Sequence, residues 1–205
     1  AKNFGTQVQM NETDLGFLRR SLARGDADLQ IVGTDLHVSP RSEVRRGELE
    51  LALGTELISA RVLADLAHQI TKSTVKGWDV SAGDTLEGDG PENALGPGEG
   101  DKGGPLLQDA FSERKHHTCH LLTYNQDEVD AIAGTVRNRR ARRFLRVQGI
   151  ATGNPALRIG THVKLTGLSQ WFSNTFYVVG ARHLYDLRSG YRTEFEAQCA
   201  FLGTS

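Results

Sequence analysis

The sequence predicts a mainly β protein of the α+β class, and three features carry that reading. The last run, from Tyr191 to Phe201, alternates cleanly: Tyr191, Thr193, Phe195, Ala197, Cys199 and Phe201 fall on one side, with Arg192, Glu194, Glu196 and Gln198 opposite. Turn chemistry at Asn154-Pro155 and Arg158-Ile-Gly160 separates further runs of the same period, proline fixing φ and glycine admitting positive φ. Asn125, followed at the capping-box position by Glu128, marks a strong helix start in the middle of the chain.

The elements follow in order. After Asn11-Glu-Thr-Asp14, the residues Leu15, Leu18 and Leu22 share a helical face bordered by Phe17; Asn11 with Asp14, or Thr13 alone, caps it, and Gly25 is a natural stop. Asp28 to Val32 and Leu36 to Val38 flank Gly33-Thr-Asp35 and read as a hairpin on that helix. Residues 7–42 are therefore expected to form a small helix-plus-hairpin module.

From Glu48 the period becomes two, with Leu49, Leu51 and Leu53 alternating with Glu48, Glu50 and Ala52. Strands are expected over Glu56 to Leu66 and Gln69 to Trp78, although Ser59, Leu63, Leu66 and Ile70 also fit a helical stripe. Residues 81–108, rich in Gly and Pro and without apolar periodicity, read as a flexible loop or arm. His116 to Leu122 reads as a strand. The helix from Asn125 is expected to cover about residues 126–145, with Val129, Ile132, Ala133 and Val136 on its apolar face. In the strand after Gly167, Phe176, Val178 and Gly180 lie on one face and Tyr177, Val179 and Ala181 on the other, so both faces expect cover.

Composition narrows the function classes. The chain has 205 residues, 38% of them hydrophobic, enough for one full core or two small ones. With 24 basic and 25 acidic residues the net charge is −1, so no global field draws nucleic acid or anionic lipid. Two cysteines, Cys119 and Cys199, make no disulfide framework and fit a reducing cytoplasm. No apolar run approaches the ~18 residues that span a bilayer, so membrane embedding is not expected. The start, Ala1-Lys-Asn-Phe, lacks Met and an obvious strand, and suggests that upstream sequence is missing.

Candidate chemistry is sparse. His116-His-Thr-Cys-His120 offers zinc-type ligands, but on a strand His116, Thr118 and His120 point one way and His117 and Cys119 the other, so at most two converge; no metal site is assigned. Neither cysteine has a local base or orienting partner, and both read as buried or half-buried hydrophobes. The pairs Glu48/Glu50, Asp127/Glu128 and Glu194/Glu196 mark solvated faces, so no catalytic residue, cofactor site or enzyme is expected. Arg24-Gly-Asp26 matches an adhesion tripeptide but sits where a helix needs its stop, and the Gly-rich residues 96–104 lack the Lys-Ser/Thr pair and the strand-to-helix context of a phosphate loop. One concentrated basic patch remains, Arg137, Arg139, Arg140, Arg142 and Arg143, which reads as a solvated helix face, a subunit contact or a nucleic-acid surface.

Gly153-Asn-Pro-Ala-Leu-Arg-Ile-Gly160, Leu165-Thr-Gly-Leu168, Phe172-Ser173 with Phe176-Tyr177-Val178, Arg182-His183 and Gly190-Tyr-Arg-Thr-Glu-Phe195 together resemble the C-terminal signature of the phage late control gene D proteins. Glu12-Thr-Asp-Leu-Gly-Phe-Leu-Arg-Arg20 is also close to that family. The family supplies the baseplate hub of contractile tails and is related to the hub part of type VI secretion spike proteins. The resemblance implies a β-barrel tube domain over 44–205 with the inserted helix, and a virion-tail location after assembly in the bacterial cytoplasm. It implies assembly as a homotrimer or pseudohexameric ring around a channel. The implied partners are the spike protein, the tail tube protein and a tape-measure protein, with DNA only as transiting cargo. The five arginines would then be lumen or subunit contacts. The family's first tube domain should precede the helix-plus-hairpin module, so it is expected to be missing from this piece or separately encoded. A tail-associated enzyme and a nucleic-acid-binding barrel are the readings from other classes.

Overall fold

The computed structural model describes residues 6–79, 82–119, 123 and 125–203. Along the chain the elements are α1 (Asp14–Arg24), β1 (Ala27–Val32), β2 (Asp35–Pro40), β3 (Gly47–Ala52), β4 (Leu57–Ala64), β5 (Lys72–Asp79), β6 (Asp84–Asp89), β7 (Asp101–Lys102), α2 (Gly103–Phe111), β8 (Lys115–Thr118), α3 (Gln126–Ala141), β9 (Leu145–Thr152), β10 (Thr161–Thr166), β11 (Asn174–Asp186), β12 (Gly190–Cys199) and β13 (Phe201–Leu202). The fold is mainly β and of the α+β type. Its division differs from the expected 7–42 module and 44–205 domain. One unit takes Ala1–Val44, Ile70–Ala94 and Glu113–Arg139, and the other Arg45–Gln69, Leu95–Ser112 and Arg140–Ser205. The helix-plus-hairpin therefore shares a unit with strands 30 or more residues away and with most of α3.

In the first unit the Thr13 hydroxyl caps α1 by accepting from the Gly16 N–H at 3.1 Å, the second of the two expected caps. Gly25 closes the helix with its N–H on the Leu22 carbonyl but keeps φ at −101°; the left-handed residue is Asp26, φ 54°. Aspartate tolerates that region because its short side chain hydrogen-bonds locally. β1 and β2 form a two-stranded antiparallel ribbon in which Val32 pairs with Asp35, so the turn is Gly33-Thr34 alone. A second sheet has the order β6-β5-β8, with β8 parallel to β5. Across it lies the apolar face of α3, and Val75, Val129, Ile132 and Ala133 form a small core with Leu86 and Val136. The helix sits close because Gly90 has no side chain: a Cβ there would come within 1.8 Å of the Gly134 nitrogen.

The α3 start is as expected, with the Glu128 N–H donating to Asn125 Oδ1 at 2.9 Å. The Glu128 side chain lies at the capping-box position. It is fully buried and paired with the Arg24 guanidinium, while Thr135 Oγ1 donates to the Arg24 carbonyl at 3.1 Å. Thus the arginine of the apparent adhesion tripeptide fastens the end of α1 to α3. α3 ends at Ala141 rather than near 145, since Leu145 already belongs to β9. The expected strand His116 to Leu122 is β8, ending at Thr118; His120 to Leu122 lie outside the described residues, as do Ala1 to Gly5.

The second unit is built on a six-stranded sheet of order β3-β10-β11-β12-β9-β4, antiparallel except for β3 on β10. All six strands feed one apolar cluster, including Leu51, Leu57, Val147, Val163, Phe176 and Phe195. A flat sheet of this width spans roughly 24 Å at ~4.8 Å per strand, so side chains from both edges meet only because the sheet curls. It does not close. β3 and β4 remain edges and are joined by a single bridge, Leu53 to Leu57, so the expected sealed barrel is corrected to an open curled sheet. β11 carries a bulge between Val178 and Gly180 that resets the alternation. Phe176, Val178 and then Ala181 face the cluster, in place of the uninterrupted parity expected from the sequence.

The stretch 81–108 is not a structureless arm: it contains β6, β7 and the start of α2. Lys102 pairs with Phe201 and Asp101 with Leu202, and Asn174 brackets Glu99 by accepting from its N–H at 3.1 Å and donating to its carbonyl at 2.8 Å. The glycines there serve close approach: a Cβ on Gly100 would lie 1.9 Å from the Leu202 carbonyl oxygen.

Replacing Arg24 with Ala removes the guanidinium from the buried Glu128 carboxylate, and breaking such a pair costs about 3–5 kcal/mol. Denaturant unfolding of R24A is expected to show a loss in that range; a midpoint within error of wild type would show that the pair does not hold the first unit together.

Candidate assembly surfaces

The family-like glycine segment is structural support for the sheet. Gly149 lies opposite Phe195 on β12, and a Cβ there would sit 2.4 Å from the ring. Asn154 accepts from the Ala156 N–H at 2.9 Å, and its own N–H donates to the buried Thr193 hydroxyl at 3.1 Å. Thr161 Oγ1 donates to the Ala156 carbonyl at 3.0 Å, Leu157 is fully buried, and Gly160 takes φ 91° against the Arg46 stem. Tyr191 Oη and His183 Nδ1 are 2.9 Å apart, with Thr193 Oγ1 3.2 Å from the same nitrogen. These residues place β9, β10, β11 and β12 relative to one another.

The face of the sheet away from the cluster is polar and balanced. Lys164 pairs with Glu50 at 3.4 Å and Arg182 with Glu194 at 3.8 Å, while Gln148 has Arg61 and Glu196 as cross-strand neighbours. The expected alternation of β12 holds, with Thr193, Phe195, Ala197 and Cys199 buried. Burial pushes the Cys199 thiol up to about 12, against the opposing effect of its hydrogen bond with the Phe201 backbone. Cys119 is exposed, contrary to the buried or half-buried expectation. Among the described residues no group of three or more His, Cys, Asp or Glu side chains is placed to hold a metal ion.

The five arginines do not form one basic stripe. Arg137 is half-buried, with its Nε 3.3 Å from Glu92 and Nη1 donating to the Gly90 carbonyl. Arg140 donates to the His68 carbonyl at 3.3 Å, and Arg142, beyond the end of α3, is 6% exposed. Arg139 and Arg143 remain exposed. The run was legible as basic, but not its division, because the helix ends inside it.

Sequence reasoning passed over the β11–β12 hairpin tip. β11 pairs with β10 only over Asn174 to Tyr177 and beyond that with β12 alone; β12 in turn pairs with β9 as far as Arg192, so the hairpin projects past the sheet from Tyr185 to Tyr191. At the tip Leu187 is 96% exposed and Tyr185 74%. A leucine inside a turn between two long strands was the available signal. The ribbon of β1 and β2 likewise shows Ile31, Leu36 and Val38 to solvent, and the pairing Ile31 to Leu36 and Leu29 to Val38 puts them on one face.

This fold is that of proteins from phage tails. The 43 kDa tail protein of prophage MuSo2 from Shewanella oneidensis superposes with a TM-score of 0.66 at 15% identity, covering 94% of this chain and 56% of that one. The tail protein from Neisseria meningitidis MC58 gives 0.61 at 12% identity with the same coverage of both chains, and a chain of the native gene transfer agent virion gives 0.51 at 13%, covering 90% and 38%. This chain therefore spans little more than half the length of the first two. Residues 2–186 match the family described as the Alg8 N-terminal domain, and the chain belongs to that family. A comparison with curated proteins found no match.

Proposed function

We propose that this chain is a structural, non-enzymatic component of a phage tail or phage-like injection particle, placed at the baseplate hub where tail tube meets spike. The observation that supports it most is the open six-stranded sheet, whose fold is shared with tail proteins over 94% of the chain. A curled sheet with two free edges suits a ring, where each edge meets a neighbour instead of inviting uncontrolled pairing. The residue-level resemblance to late control gene D proteins supports the hub position, with a spike protein, tail tube protein and tape-measure protein as partners. The hub part of a type VI secretion spike protein uses the same architecture and is the alternative setting. With one such sheet per chain, a pseudohexameric ring needs either true sixfold assembly or a second sheet from another segment or chain. No membrane embedding is proposed; no helix among the described residues is long and apolar enough to cross one.

Purified alone and with tail tube and spike proteins, the chain is expected to form rings visible by electron microscopy and of matching mass by light scattering. A chain that stays monomeric in all these mixtures contradicts the proposal. Arg139 and Arg143 are the lumen or subunit-contact candidates left exposed. Reversing both charges is expected to leave the fold intact and lower DNA or tape-measure passage at least several-fold; unchanged passage and assembly would remove them from that role.

A further inference from the structure

Two features of the molecule are unexplained by the free chain and complement each other. The first is the β11–β12 tip. Its three-residue loop, Leu187-Arg188-Ser189, is followed by Gly190 at φ 69°, the left-handed position that such hairpin loops need. The Asp186 carboxylate accepts from the backbone N–H groups of Arg188 at 2.8 Å and Ser189 at 2.6 Å, so the turn is held in one shape. Those bonds also hold the Asp186 carboxyl below its usual range. A rigid turn that displays a leucine at 96% exposure beside an arginine has its ordering entropy settled before binding, which favours docking.

The second is a groove of about 860 Å³ in the first unit, with Leu22, Val38, Ala131 and Gly134 among its walls. On its α3 side, Ala131 and Gly134 are small and buried, and Asp130 is partly exposed. Asp26 and Asp130 line the groove and none of its lining residues is cationic. Ser21 Oγ, also on the wall, is buried without a hydrogen-bond partner.

We propose that the β11–β12 tip of one copy seats in this groove of a second copy, with Leu187 against the apolar wall and Arg188 toward Asp26 and Asp130. Charge chooses the occupant: the groove is acidic and apolar, and the tip is an apolar residue next to a cation. Tip and groove are different surfaces, so the contact is head-to-tail and propagates into a ring or a filament rather than a closed pair. The inference rests on the assembly reading above and specifies one contact within it.

The test uses the full chain with Cys119 changed to Ser, as two single variants, Leu187→Cys and Val38→Cys, mixed under mild oxidation in the assembled protein. A disulfide-linked pair that forms in the mixture, and at least tenfold less with either variant alone, is expected. In parallel, Leu187→Asp, at a position too exposed to disturb folding, is expected to weaken association at least tenfold, as is Arg188→Glu, with Asp130→Arg restoring the latter. An assembly that forms normally with Leu187→Asp and yields no mixed disulfide overturns the tip-in-groove contact while leaving the assembly reading intact. Failure of the unaltered chain to assemble with any tail protein overturns that reading itself.

Discussion

Everything in the second unit depends on one constraint: six strands must bury a single apolar cluster, yet the sheet they form does not close. Leu51 from one edge and Leu57 from the other reach the same core, with Phe176 and Phe195 from the middle strands between them. Curling brings the edges toward each other, but the Leu53 to Leu57 bridge is where pairing stops. Hydrophobic burial, at ~25 cal/mol per Å², favours curling, whereas closure needs a ladder of backbone bonds that the short β3–β4 connection does not extend. The result is a curled sheet with open edges.

The glycines of the C-terminal segment follow from that curl. Tightly bent antiparallel strands need room where a large side chain crosses from the neighbouring strand, and Gly149 supplies it beneath Phe195. The bulge at Val179 does related work on β11, turning Ala181 back to the core after Val178 and letting the strand run on to the tip. In the first unit the corresponding fastening is ionic: Arg24 on Glu128 ties α1 to α3, because α1 itself has no fully buried residue.

Period-two and capping signals were legible because they are local. The face of β12, the Thr13 and Asn125 caps and the β1–β2 hairpin depend on residues within a few positions of one another. The misreadings share a cause, which is partnership at long range. Residues 96–104 look disordered by composition, but Asn174 and the chain's last strand hold them, and their glycines allow that closeness. The arginine run looked like one face because nothing local shows that α3 ends at Ala141 and that Arg142 turns inward. Sealing of the barrel and the division into two units depend on pairings across more than a hundred residues. Of the candidate assembly surfaces, the exposed arginines were partly visible in advance, whereas the tip at Leu187 was hidden in an ordinary-looking turn.

Fold likeness to tail proteins at 12–15% identity establishes architecture, and the open edges are the physical reason to read that architecture as part of an assembly. Amide hydrogen exchange on the isolated and the assembled chain tests this most directly. Outward-facing amides of β3 and β4, rapidly exchanging in the isolated chain, are expected to gain at least tenfold protection on assembly. Equal exchange at both edges in the two states would contradict it.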